Sequence, residues 1–130
     1  DNDGRLDIVI NNLDAAPTLL RPEGESAGRS VLLKLTGAKS NRSAIGARVR
    51  LRASGVSQTG EVMSGASYYS CHDLRLHFGL GPASKIDAIE IDWPSGASSR
   101  FENVAPDRIH FIDEAKGIVK SEPFSRKEPR

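Results

Sequence analysis

Short runs rich in Val, Ile and Leu, broken every 8 to 15 residues by clusters of Gly, Pro, Ser or Asn, extend along most of this chain. That spacing is the punctuation of an all-β domain, in which each run crosses a sheet once and each cluster turns the chain. Candidate strands fall at 6–11, 18–21, 30–35, 47–52, 59–63, 74–78, 86–93, 99–104 and 108–112. No stretch combines apolar spacing of helical period with helix caps. Alternation assigns faces in the clearest strands. Val31, Leu33 and Leu35 oppose Lys34, and Ala47, Val49 and Leu51 oppose Arg48, Arg50 and Arg52. Leu74, Leu76, Phe78, Ile89, Ile91, Trp93, Ile109 and Phe111 complete the expected core, with one face of each strand buried and the other wet. The expected fold is an antiparallel β-sandwich or barrel-like domain.

A chain of 130 residues with 38% hydrophobic content is long enough for one core without a disulfide or metal staple. The single cysteine, Cys71, has no intrachain partner, and one thiol does not decide the compartment. A net charge of +1 gives no global attraction to nucleic acid or membrane. No apolar run approaches the roughly 20 residues of a membrane span. Two prolines and two glycines in "DAAPTLLRPEGESAG" suggest a boundary near Pro22 to Ala27. The mixed Lys, Arg, Glu, Ser and Pro near the end reads as a flexible tail. The expected division is therefore 1–22, 23–115 and a tail over 116–130.

The first residues, "DNDGRLDIVINN", set Asp1, Asp3 and Asp7 around Gly4 just before a strand. Calcium takes six to eight oxygen ligands from a tight turn, and carboxylates at alternate positions with a Gly supply that chemistry. An EF-hand does not fit. With Gly4 at the sixth loop position, the twelfth falls on Ile10, and the exit is a strand. The spacing resembles the D-x-D-x-D-G-x-x-D loop of FG-GAP or VCBS repeats, which build β-propeller blades. That resemblance implies calcium ligation by Asp1, Asp3 and Asp7, with Arg5 offering only its carbonyl and one further Asp upstream. The expectation is that residues 1–22 are the end of such a repeat in a longer protein. Its calcium site would be incomplete here and complete in the parent.

From about Ser30 to Glu114 the sequence resembles the ASPIC/UnbV domain. The motifs are "SNRSAIGARVRL", "GASYYS", "LHFGLG" and "IEIDWPSG", continued by "NVAPDRIHFIDE". Cys71 stands where the family often has Gln. The resemblance implies a module that follows propeller repeats in secreted or envelope proteins, without an assigned catalytic activity. It therefore implies a secreted, periplasmic or cell-surface setting and the upstream propeller as partner.

The residues bear on three roles. For catalysis, "SCHDLRLHF" groups Cys71, His72, Asp73 and His77, but Cys71 and His72 diverge in an extended strand, as do His72 and His77. The plainer reading has Cys71 as a small buried filler and His77 solvated, and no enzyme is expected. "HFGLGPAS" lacks the Lys-Ser/Thr pair of a phosphate loop. For ligand binding, Arg48, Arg50 and Arg52 line one strand face suited to sulfated glycans or another acidic partner, unless Glu90 and Asp92 pair with them across the sheet. Tyr68, Tyr69 and Trp93 offer either stacking surfaces or core. For scaffolding, the domain packs on or caps the last propeller blade. This third role is the expected one, with the glycan binder as alternative.

Overall fold

The computed structural model describes residues 1–24 and 28–125. Among these residues there are ten strands and no helix: β1 (Ile8–Ile10), β2 (Thr18–Leu20), β3 (Arg29–Thr36), β4 (Arg48–Ala53), β5 (Val56–Glu61), β6 (Leu76–Gly81), β7 (Ile86–Asp92), β8 (Ser98–Val104), β9 (Arg108–Asp113) and β10 (Gly117–Pro123). They form two four-stranded sheets, β10-β9-β3-β6 and β5-β4-β7-β8, and a separate β1-β2 hairpin. The two large sheets face each other as a sandwich, and neither closes into a barrel. Of the expected boundary near Pro22 to Ala27, residues 25–27 lie outside the described residues.

The inner faces follow the period-2 pattern. Val31, Leu33 and Leu35 of β3 meet Val49 and Leu51 of β4 and Ile89 and Ile91 of β7, all essentially without solvent contact. Burying each such aliphatic side chain contributes about 1.5–3 kcal/mol. Trp93 is buried, and its Nε1–H donates to Ser99 Oγ at 2.9 Å. The polar end of the indole is thereby satisfied inside the core.

Four expectations are corrected. The pairing is not wholly antiparallel, because β3 and β9 run parallel from Leu32↔Ile109 to Thr36↔Asp113. A parallel pair needs a long crossover, and β4 to β8 intervene here. The segment expected to be tail contains β10, paired with β9 from Gly117↔Asp113 to Pro123↔Arg108 with a bulge between Ile118 and Lys120. Its backbone bonds and Phe124 hold it despite an apolar content too low to read as a strand; residues 126–130 lie outside the described residues. Ile109 and Phe111 turn outward, while His110 and Ile112 of β9 are buried. Finally, the outer face of β10-β9-β3-β6 is not uniformly wet, since Leu32, Ile109 and Phe124 form a second buried cluster flanked by Phe111.

Candidate functional site

The opening turn lies against that outer face. Gly4 is buried, with φ of +89°, and a Cβ there would come 2.4 Å from the Phe124 ring. Glycine is required by both conformation and space. Its carbonyl accepts Ser30 Oγ–H at 2.7 Å from β3 and His77 Nε2–H at 2.9 Å from β6. The carbonyl of Asn2 accepts the Ser125 amide at 2.9 Å, and Asn2 Oδ1 accepts Arg75 Nη1–H at 2.7 Å.

The three carboxylates have other partners. Asp3 accepts the Arg5 amide and Nε–H, at 2.9 and 2.8 Å. Partial burial pushes its carboxyl up, but the Arg5 hydrogen bonds and charge outweigh this and hold it below the usual carboxylate range. Asp1 pairs with Arg21, and Asp7 lies 3.9 Å from Arg21 Nε and 4.0 Å from the N-terminal ammonium. Among the described residues no three His, Cys, Asp or Glu side chains are grouped to hold a metal. Three carboxylates bound to two guanidinium groups fall short of calcium's oxygen set, so the turn as it stands does not fit the ion.

Arg48, Arg50 and Arg52 do share the solvent face of β4, opposite the carboxylates named from sequence. Arg50 registers with Glu90 and Arg48 with Asp92. Arg48 bonds Glu61 at 3.1 Å, Arg50 bonds Glu90 at 3.1 Å, and Arg52 lies 3.7 Å from Glu90. Arg100 of β8 joins Glu90 and Glu102. The stripe is thus interleaved with acids into a mosaic of both signs, not a basic surface.

The residues of "SCHDLRLHF" do not converge. Cys71 is exposed, not a buried filler, and its Sγ–H donates to the His72 carbonyl at 3.3 Å. Asp73 bonds the Arg75 amide at 2.9 Å and Nε at 2.7 Å. Partial burial pushes the Asp73 carboxyl up, while the Arg75 bonds and charge bring it below its ordinary value. His77 is half-buried against Gly4 instead of solvated. Tyr68 and Tyr69 are 88% and 94% exposed on the β5–β6 connection, so neither is core.

Two polar centres escaped the sequence reading. Glu114, just past β9, accepts the amides of Ala38, Lys39 and Ser40 at 2.7, 2.7 and 2.8 Å, and the hydroxyls of Ser40 and Ser95. Desolvation pushes its carboxyl up, but these bonds outweigh it and bring the value down to about 2. His110 is buried, with Nε2–H donating to Ala105 O at 2.8 Å and Nδ1 accepting Ser121 Oγ–H at 2.7 Å. Burial is the main cause pushing its pKa down, with Arg108 adding to it against the Ala105 bond. Glu114 joins segments distant in sequence, whereas His110 is satisfied within and beside the β9–β10 pair, and no local motif announces either.

The family model described as ASPIC and UnbV matches residues 37–119. The chain belongs to this family. No curated protein and no solved structure matches it. The sandwich extends beyond the matched span, since β3 (Arg29–Thr36) is an inner strand of its sheet. Among the described residues there is no helix long and apolar enough to cross a membrane.

Proposed function

We propose that this ASPIC and UnbV domain is a non-enzymatic accessory module of a secreted or envelope FG-GAP repeat protein, packing on or capping the end of its propeller. The observation that carries this reading is the β1–β2 hairpin. Ile8 pairs with Leu20 and Val9 with Leu19, so both faces of the two strands are apolar. Ile8 is 57% and Val9 70% exposed, and among the described residues no other sheet covers them. A strand pair apolar on both faces calls for cover on both sides, and a propeller blade receives that from its two neighbours.

In the same reading, calcium belongs to a loop completed by upstream residues, with Asp1, Asp3 and Asp7 supplying part of its ligands. The test is calorimetric titration of calcium into this chain extended upstream by an intact repeat, with hydrogen exchange on the hairpin. Calcium binding by the longer protein, together with protection of Ile8 to Ile10, is the expected result. A longer protein that binds no calcium and leaves the hairpin unprotected overturns the reading. Against the sulfated-glycan alternative stands the pairing of Arg48, Arg50 and Arg52 with carboxylates. The chain should pass unretained through a heparin column at physiological salt. Retention lost on changing those arginines to Ser would reinstate that alternative.

A further inference from the structure

The opening turn divides its contacts by position. Asn2 and Gly4 face the sandwich, where they accept hydrogen bonds from Ser30, Arg75, His77 and the Ser125 amide. Asp1, Asp3 and Asp7 face the arginines. Those arginines bind both flanks of the hairpin. Arg21 follows β2 directly, and Arg5, preceding β1, also donates to the Gly24 carbonyl at 2.9 Å. The turn is therefore fastened to the sandwich through one set of residues and to the hairpin through the other.

We propose that the outer face of the β10-β9-β3-β6 sheet is a seat for the turn at Asn2 and Gly4, and that this seat holds the β1–β2 hairpin at one fixed angle to the sandwich. The occupant is a tight turn with glycine in the left-handed conformation, because Phe124 leaves no space for a Cβ and φ disfavours one. Arg75 is positioned for its bond to Asn2 by Asp73, which accepts both its amide and its Nε–H. The seat joins β3, β6 and the residues following β10, so it exists only when the sheet is assembled. This goes beyond the capping reading, because the joint is internal to the chain and stands or falls without a propeller. Where a propeller is present, the joint carries the module rigidly instead of on a tether.

The test is a spin-label distance measurement on the whole chain in a Cys71→Ser background. Labels are placed through Leu13→Cys, between β1 and β2, and Ser84→Cys, between β6 and β7. One narrow distance distribution is expected. Gly4→Val, which drives a side chain into Phe124, should abolish it and give a broad distribution while the circular dichroism of the sandwich persists. Asn2→Ala removes the exposed Arg75 contact and disfavours the left-handed backbone of Asn2 (φ of +62°) without touching the core, and should broaden it to a lesser degree, which keeps the test decisive if Gly4→Val does not fold. A distribution already broad before these changes overturns the proposal. So does one that stays narrow in Asn2→Ala and in every folded Gly4→Val sample.

Discussion

The two sheets of the sandwich present outer faces of opposite character. On β5-β4-β7-β8 the outward residues are a solvated mosaic of Arg48, Arg50, Arg52 and Arg100 with Glu61, Glu90 and Glu102. On β10-β9-β3-β6 the outward Leu32 and Ile109 are covered by Phe124, and Ser30 and His77 bind the opening turn. The first face pairs its charges within itself. The second is finished by chain segments from both ends of the sequence, so it is the face on which this domain makes a joint.

The severest way to break both faces at once is to strike β3, which carries inner Leu33 and outer Leu32 on adjacent residues. Leu33→Ala should destabilise by about 3–5 kcal/mol, since Leu33 is wholly buried. Chemical denaturation measures this directly, and a loss under about 1 kcal/mol would mean that the inner faces are not packed as described.

Phe124→Ala separates the faces. It should cost about 2–3 kcal/mol, less than a central Phe, because its cluster is small and lies at the surface. Hydrogen exchange should show loss of protection at the Ser125 amide and at the end of β10, with β4 and β7 unchanged. Uniform loss of protection would show that the two faces are energetically one.

Acid probes the contacts that hold the turns around the sandwich. The Glu114 carboxyl is lowered from 4.5 to about 2 in the folded chain, so the unfolded chain binds the proton first as pH falls. Stability from Glu114 is full above about 4.5 and is lost as pH drops towards about 2. His110 adds a shallower decline beginning below about 6.5, because its folded pKa is depressed as well. Thermal melts of Glu114→Gln should show a smaller loss between 4.5 and 2, where Asp3 and Asp73 still contribute, while keeping the His110 decline. An unchanged acid profile would remove Glu114 from its assigned role.

What the sequence made legible follows the same division. The inner faces of β3, β4 and β7 read correctly because alternation is a local signal, and Val31, Val49 and Ile89 sit where period 2 placed them. The Arg50–Glu90 pairing was also visible, since both residues lie outward on strong strands. The covered face was not. Its contacts join Asn2 to Ser125 and Gly4 to His77, and nothing in "DNDG" or "EPFS" alone reports that they meet. Glu114 was missed for the same reason, since its partners are Ala38 to Ser40 and Ser95. The sequence leaves Tyr68 and Tyr69 open between stacking surface and core, and their exposure excludes the core.

The smallest expected effect sharpens the comparison most. Arg50→Ala on the mosaic should change stability by under about 1 kcal/mol, because exposed ion pairs gain little over their hydration. Arg52 and Arg100 also remain beside Glu90 when Arg50 is gone, so its charge keeps partners. Asn2→Ala also removes one exposed bond to a guanidinium, but that bond belongs to a joint whose other members are fixed by the sheet. Its effect should fall on the hydrogen exchange of residues 1–10 rather than on global stability. If Arg50→Ala instead perturbed the hairpin, or Asn2→Ala left exchange there untouched, the assignment of solvent to one face and docking to the other would have to be reversed.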